Sequence, residues 1–426
     1  MDTHRIVAIG AAGGMARVGL QRLSSIRDDL IFELYDLDMD RLEDVAATLP
    51  RDRVTTGRVD LFDAPELRRA LDGASLVLLG AGPYLKTAPP VMRACIEAGV
   101  DYIDFDDDVE STLDGLELDN QARAAGVGLF LGCGASPGLS NVMAVDAAKQ
   151  LDRVESIDVC WVSGDEGPYP FGAAVLEHAI HISAGDTLIW REGREVAVPT
   201  FVENEVFAMG GDLGDYRLYL TGHPEAVTLP RLFSGVRSVR VMGGLHPQPV
   251  NGVLRGISLA VKDGKLTLAE AVKWFQAVMQ NESGSLKVWR HALAGMLGQV
   301  RRDEATLGEM GSYLWQGLRK HHVPFLAGIL VRATGARNGE PATVIRRTGT
   351  GGPGSFLGSS MANATGTCLA AFAHLALDQK EQLAGALSPE DWVASERYYS
   401  TLEGLGVSRD ELFGGEPAAD NVATKG

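Results

Sequence analysis

The sequence predicts an α/β chain: a doubly wound parallel sheet at the N-terminus, then an α+β unit on a mixed, largely antiparallel sheet. Three observations predict it. Short apolar runs alternate with helically spaced stretches over the first 140 residues, as strands covered on both faces require. A glycine turn, Gly10-Ala-Ala-Gly13-Gly14-Met15-Ala16, separates the first run from the first helix. Strand-rich sequence punctuated by turn residues gathers after residue 150.

The first elements read strand (5–9), glycine turn, helix (Val18, Leu20, Leu23, Ile26) and a second strand ending in Asp36. That order makes a dinucleotide half-site in a Rossmann domain. A glycine backbone approaches a pyrophosphate closely, and the helix N-terminus offers free N–H groups and a positive dipole end. Gly10, Ala12, Gly13, Gly14 and Met15 are therefore expected around the pyrophosphate, with Asp36 accepting from a ribose hydroxyl. The spacing is Gly-x-x-Gly-x-x-Ala. Asp38 and Asp40 open the next helix, and acids so close to Asp36 repel a 2′-phosphate, so NAD is expected over NADP. Arg41 argues for NADP if it turns toward the ribose.

A third strand at 53–56 leads to Asp60, expected at the adenine edge, and a helix follows over 64–71. The apolar run 75–79 ends in Gly80-Ala81-Gly82-Pro83-Tyr84, beyond a strand's carboxyl end, where the nicotinamide is expected. A helix over 88–98 and a strand over 100–105 lead to Asp106-Asp-Asp108. Asp104 is placed on the cofactor side and Asp106 on the substrate side, either being suited to hold an ammonium. A helix (116–125), a sixth strand (127–131) and a second glycine-rich turn with Gly134 and Pro137 close the domain near residue 140.

Composition agrees with an enzyme of two or three units. The 426 residues exceed what one core usually supports. Formal charge is 39 − 56 = −17, which excludes nucleic acid and anionic membrane as expected partners. The four cysteines have no zinc spacing, and no metal is expected. The N-terminus enters a strand directly and no apolar run nears spanning length, so cytoplasm is the expected location.

Gly82-Pro83-Tyr84, Pro90-Val-Met-Arg-Ala-Cys95, Gly99-Val-Asp-Tyr-Ile-Asp104 and Gly134-Ala-Ser-Pro-Gly-Leu-Ser-Asn141 together resemble the saccharopine dehydrogenase-like family. The likeness continues through Asp215-Tyr-Arg-Leu-Tyr219, Gly222-His-Pro-Glu225, Thr228-Leu-Pro230 and Gly385-Ala-Leu-Ser-Pro-Glu390. It implies pyridine-nucleotide chemistry at an amine-bearing carbon, usually in a homodimer. Two rival classes lack their signatures: no tyrosine has a lysine four residues later, and no Glu-Lys-Pro follows the fifth strand.

Beyond residue 141 a helix (143–151) and a strand (154–162) precede a loop at 164–172 and a helix over 173–183. Glu177, His178 and His181 share a face of that helix, and His178 or His181 is the candidate acid/base for the amine proton. Core histidines bonded to carbonyls are the plainer alternative. A hairpin (188–198) and strands at 215–220, 227–229, 236–241 and 254–261 suit a substrate and dimerisation layer. Tyr216 and His223 lie where the resemblance places a substrate pocket, and Arg217, Arg237 or Arg240 could clamp a carboxylate, Arg240 being the expected substrate residue. Helices fill 266–318, two strands (323–334, 342–347) close the sheet, and a glycine-rich loop spans 348–354. By resemblance the helix over 361–377 packs back on the nucleotide domain; a last helix runs from Pro389 to about Leu405. The expected organisation is thus 1–140 Rossmann domain, 141–360 substrate and dimerisation domain, 361–413 returning helices and 414–426 disordered tail.

The expected activity is NAD(P)-dependent hydride transfer to or from the amine-bearing carbon of an amino acid or related amine, with an imine intermediate. Tyr84, His178 and His181 are the catalytic candidates. The alternatives are carbonyl or enoyl reduction on the same fold and non-catalytic NAD(P)H binding.

Overall fold

The computed structural model describes residues 3–164, 172–280, 282–320, 324–351, 355–357, 359–379 and 383–414. Most of the loop expected at 164–172, the start of the strand expected at 323, part of the 348–354 loop and the tail beyond Gly414 lie outside them. The first stretch runs β1 (His4–Ile9), α1 (Gly14–Ile26), β2 (Leu30–Tyr35), α2 (Met39–Ala46), β3 (Val54–Gly57), α3 (Ala64–Leu71), β4 (Leu76–Leu79), α4 (Tyr84–Ala98), β5 (Asp101–Asp104), α5 (Val109–Glu117), α6 (Asp119–Ala125), β6 (Gly128–Phe130) and α7 (Leu139–Ala148). Next come β7 (Arg153–Ser163), α8 (Ala173–Ile182), β8 (Asp186–Arg191), β9 (Arg194–Pro199), β10 (Asn204–Gly210), β11 (Gly214–Leu220), α9 (Glu225–Thr228), β12 (Ser238–Leu245), α10 (Pro249–Lys262), α11 (Leu268–Met279), α12 (Leu286–Arg301), α13 (Leu307–Leu318), β13 (Gly328–Arg337) and β14 (Glu340–Arg347). The chain ends with α14 (Met361–Leu377), β15 (Gly385–Leu387), α15 (Pro389–Trp392), α16 (Ser395–Gly404) and α17 (Arg409–Phe413).

The chain divides into two units. Met1–Asp146 with Ala362–Ser408 form one, and Ala147–Met361 with Arg409–Gly426 the other. No helix among the described residues is long and apolar enough to cross a membrane.

The first unit holds a seven-stranded parallel sheet, β15-β6-β5-β4-β1-β2-β3. All four residues of β4 are buried, which explains why the sequence there is apolar without alternation. The strand order reverses between β1 and β4, so their carboxyl ends flank the crevice where such sheets bind ligands. The sequence reading stopped at six strands. The seventh, β15, is three residues long and pairs with β6 from 257 positions downstream (385 − 128), too short for any period to betray it. Helix α14 is apolar on nearly all sides and buried, and it crosses α1 closely: a Cβ on Gly19 would stand 2.9 Å from Leu369 Cδ2, and one on Gly366 2.6 Å from the Met15 carbonyl.

The second unit carries the sheet path β10-β11-β12-β7-β13-β14, with the β8–β9 hairpin attached to β12. Only β12 and β7 run parallel; the other pairs are antiparallel. Register places Arg240 and Arg332 on either side of Asp158. Helices α8, α10, α11 and α12 bury Leu176, Ile257, Trp274, Val288 and Met296 together with Tyr219 and Phe201, whose rings stack 5.0 Å apart. Where α10 meets α12 the backbones touch: a Cβ on Gly295 would lie 2.0 Å from the Gly252 carbonyl.

Several elements differ from the sequence reading. Residues 254–261 are helix, inside α10, because Val253, Leu254, Ile257 and Ala260 recur at helical spacing and bury together after Pro249 at the first turn. Residues 227–229 are a helical turn, α9 running on into a 3-10 turn, rather than a strand. Helix α4 starts at Tyr84, one turn before the expected position, with Pro89 and Pro90 inside it. The final helix is split into α15 and α16 at Val393-Ala394.

Candidate functional site

Gly10 ends β1 at φ +76°, and its N–H and that of Ala11 both donate to the Tyr35 carbonyl, at 2.8 and 3.2 Å. The Ala12 N–H donates to Asp36 Oδ2 at 2.9 Å, and Gly13 N–H to the Gly10 carbonyl at 3.1 Å. Asp36 Oδ1 accepts from Asp38 N–H at 3.0 Å. Asp36 thus fastens the glycine turn as well as standing at the end of β2. Sequence spacing alone assigned it only the ribose.

Helix α1 begins directly after this turn with Gly13 as N-cap, no capping side chain and no acid in its first turn. Its leading N–H groups are therefore open donors at a positive dipole end. Both Gly13 and Gly14 are exposed, and Met15 and Ala12 are half-buried beside them. A Cβ on Gly13 would meet only the Gly10 carbonyl at 3.2 Å and the Gly80 carbonyl at 3.6 Å; one on Gly14 only Ala362 Cβ at 3.5 Å. Packing therefore leaves room for a side chain at Gly14, while at Gly13 the Gly10 carbonyl would have to give by a few tenths of an ångström. Gly10 is different: a Cβ there would lie 2.4 Å from the Ala81 nitrogen, so the turn after β1 and the turn after β4 are in backbone contact. Gly80 N–H donates to the Ile9 carbonyl at 2.7 Å, completing that contact.

Beside β2 lies a shallow cleft of about 470 Å³ lined by Leu37, Asp38, Met39, Asp40 and Arg58. Arg41 does not enter it: its Nε pairs with Asp38 at 3.4 Å and its side chain is largely exposed. Asp60, the adenine candidate, accepts locally from Phe62 N–H at 2.9 Å.

On the other side of the crevice, Gly82-Pro83 is a cis peptide leading into α4. Tyr84 is a buried core residue whose hydroxyl donates to the Leu79 carbonyl at 3.2 Å and whose ring meets Phe105 edge-on. Burial, with the Asp104–Asp108 carboxylates nearby, pushes its phenol well above the usual range. In this position it braces the turn.

Asp104 is also buried. It accepts from Tyr102 Oη at 2.7 Å, Gly132 N–H at 2.7 Å and Asp106 N–H at 3.2 Å, and burial pushes its pKa up to about 6 despite those donors. Asp106 accepts from Ser111 Oγ and from Asp108 N–H at 2.8 Å, and burial followed by its Asp104 and Asp108 neighbours raises it well above the ordinary carboxyl range. Asp104 ties the loop after β5 to the loop after β6, and Asp106 fastens the start of α5. Within the latter, Gly134 N–H donates to the Pro137 carbonyl at 3.0 Å, Gly138 N–H to Asn141 Oδ1 at 2.8 Å, and Asn141 Nδ2 to Glu390 Oε2 at 2.8 Å. Asn141 is thus the link between the second glycine turn and α15.

In the second unit the candidates separate. His178 lies beside His223, ring centroids 5.9 Å apart, while His181 is exposed near the end of α8. His223 is buried, faces Glu225 and touches Trp161. Neither of those two partners stood out in the sequence as a site residue. Tyr216 Oη donates to the Leu245 carbonyl at 2.8 Å. Arg240 is engaged in a four-membered ionic network: Nε to Asp158 at 2.7 Å and Nη2 to Glu205 at 2.8 Å, with Arg332 bonding the same two carboxylates. A guanidinium so occupied fixes sheet register rather than facing a ligand.

Residues 6–129 match the family model described as saccharopine dehydrogenase NADP binding domain. Carboxyaminopropylagmatine dehydrogenase of Synechocystis sp. is 28% identical over 162 residues, 36% of this chain and 40% of the relative. Trans-acting enoyl reductase of Mycobacterium leprae is 29% identical over 132 residues, 30% of this chain and 32% of the relative. The matched stretches thus span less than half of either relative. Apo saccharopine dehydrogenase (L-Glu forming) from Saccharomyces cerevisiae is similar in fold, with a TM-score of 0.59 at 14% identity over 94% of this chain and 97% of that one. Residues 6–129 are therefore similar to the NADP binding domain of saccharopine dehydrogenase, and the fold is similar to that of the yeast enzyme.

Proposed function

We propose that this protein is a nicotinamide-dependent dehydrogenase or reductase acting at the amine-bearing carbon of an amino acid or related amine. The observation that carries the nucleotide half is the uncapped, acid-free start of α1 behind the exposed Gly13 and Gly14, with room for a side chain at Gly14. The N–H groups of that turn would hold the diphosphate, and Asp36 the adenosine ribose. The bound nicotinamide supplies the hydride acceptor or donor. The relative named for carboxyaminopropylagmatine supports an amine carbon as the reacting centre. Asp36, Asp38 and Asp40 favour NAD, since a 2′-phosphate would bring two further negative charges among them; Arg58 in the same cleft is the one cation lining it.

The test is a titration with NADH and NADPH, then nicotinamide reduction with a panel of amino acids and N-carboxyalkyl amines. Oxidation of NADH by oxo acids should require ammonia or a second amine. The relative named as an enoyl reductase favours a second reading, alkene reduction on the same domain. NADH oxidation by an enoyl thioester without any amine would replace the first reading with it.

A further inference from the structure

Helix α13 is 12 residues long, yet none of them is buried. Met310, Tyr313 and Leu314 lean with part of their surface on the core that holds Ile257, Trp274 and Met296. On the neighbouring flank Leu307, Gly311, Trp315 and Leu318 recur at i, i+4, i+8 and i+11, one line along the helix. Leu307 is 68% exposed, Trp315 55% and Leu318 79%. The helix carries one charged residue, Glu309, which is engaged in the capping box with Thr306, in a chain whose formal charge is −17. Aromatic and aliphatic groups with few charges among them are the composition of an interface centre rather than of a solvated face.

The line is complementary to itself. Leu307 and Leu318 stand equally far from a midpoint between Ser312 and Tyr313, and Gly311 and Trp315 stand equally far from Tyr313. Two copies of α13 laid antiparallel about a two-fold axis at that midpoint bring Leu307 against Leu318 and each Trp315 against Gly311 of the partner subunit. A Cβ on Gly311 would meet nothing within 4 Å, so the surface beside it is open, and glycine there costs the helix about 1 kcal/mol against alanine. Packing within one chain gives no reason for it, whereas an incoming indole does. Arg319 Cζ lies 4.4 Å from the Trp315 ring centre and covers one face of that indole. Antiparallel pairing also sets the positive N-terminal end of each helix beside the negative C-terminal end of the other. Leu307, Trp315 and Leu318 expose on the order of 100 Å² each. Together they supply on the order of 300 Å² of the about 800 Å² that each partner buries in a standard interface, which makes the line its apolar centre and the polar flanks of α13 its rim.

We propose that α13 is a self-association surface on which two copies of this chain pair through Leu307, Trp315 and Leu318, with Trp315 of each copy seated over Gly311 of the partner subunit. Such a pairing is isologous and closed: every contact is made twice and no part of the line is left for a third copy. The tryptophan at its centre is the anchor. The surface lies wholly within the second unit and needs no nucleotide, so it stands apart from the proposed activity.

Sedimentation equilibrium of the full chain over roughly 1–100 μM reads the mass. Wild type should double its mass within that range, and Trp315→Glu should stay at half the wild-type mass at the top of it, its dissociation constant raised about thirtyfold or more. The comparison holds whatever other face also associates, since losing this surface halves the mass in either case. Gly311→Leu separates a fit from simple adhesion. It adds apolar surface and favours the helix, so an adhesive face would associate more tightly, whereas filling the place of the indole should weaken association about tenfold or more. Both positions are exposed, so urea melts should show both variants folded. A wild type that is monomeric throughout overturns the proposal, as does a Trp315→Glu chain of wild-type mass or a Gly311→Leu chain that associates as tightly as wild type. A monomeric wild type that co-sediments with phosphatidylcholine–phosphatidylglycerol vesicles, and loses them in Trp315→Glu, assigns the face to a lipid surface instead.

Discussion

Three alanine substitutions in one turn separate what the fold needs from what the ligand needs. Gly13 already has φ −63° and ψ 141°, which alanine adopts freely, and a Cβ there makes one contact at 3.2 Å. Gly14 is the first helical residue, where alanine is the better helix former by up to about 1 kcal/mol. Both variants should unfold in urea within about 1 kcal/mol of wild type. Gly10→Ala combines about 1–2 kcal/mol for a left-handed alanine with about 1–3 for driving a methyl into the Ala81 backbone, so a loss of about 2–5 kcal/mol is expected. Binding should order the variants differently. A methyl on Gly13 or Gly14 holds a diphosphate away from at least one amide, and a charged hydrogen bond is worth about 1.5–3 kcal/mol, so NADH affinity should fall roughly tenfold to a hundredfold. Urea denaturation and calorimetric titration of the same preparations read both quantities. If Gly13→Ala and Gly14→Ala bind NADH as tightly as wild type, the diphosphate does not sit on this turn.

Further outcomes follow from the buried charges. Asp36→Ala removes both the ribose acceptor and the bond from Ala12 N–H, so NADH titration should show at least a tenfold loss and a narrower preference over NADPH. Asp104 has a folded pKa near 6 against an ordinary 3.8, so between those values the native chain keeps a proton that the unfolded chain has lost. The share of Asp104 is therefore a loss of stability as pH rises from about 4 to about 6, and Asp106, held well above the ordinary range by burial and its neighbours, adds to the fall. Asp104→Asn should flatten Asp104's share of that slope and add at most about 3 kcal/mol at pH 8, measured by urea melts across pH. Asp101, also pushed up to about 6 by burial, should leave a residual slope in that variant. Arg240→Ala leaves Asp158 and Glu205 with Arg332 alone and should destabilise by about 3 kcal/mol in the same assay, without changing NADH affinity.

The elements legible in the sequence are those whose cause is local. From β1 through β2, strand, turn, helix and terminal acid lie within 36 residues, and each is signalled by its own residues. The hairpins β8–β9 and β13–β14 were legible because Gly193 and Gly339 mark their turns at positive φ. Helix α10 reads as a strand when its Ile257-Ser-Leu-Ala-Val261 run is taken by itself; the helical recurrence shows once the window reaches back to Pro249, Val253 and Leu254. The β-branched Val227 and Thr228 argued for a strand, and tertiary packing overrode that propensity.

Side-chain partnerships were the less legible part, and for the same reason. Arg240 reads as an available cation until Asp158, Glu205 and Arg332 converge on it from three other strands. Tyr84 reads as a loop residue until its hydroxyl is found on the Leu79 carbonyl. Tyr84 and Arg240 thus look like ligands in one dimension and like braces in three. Gly13 and Gly14 are the other case: the sequence already points to a pyrophosphate turn there, and the structure adds that both are exposed and that a side chain at Gly14 would meet only Ala362 Cβ at 3.5 Å. A residue the fold can do without, at a place where the backbone offers unspent donors, is a stronger sign of a ligand than a polar side chain whose bonds are already made.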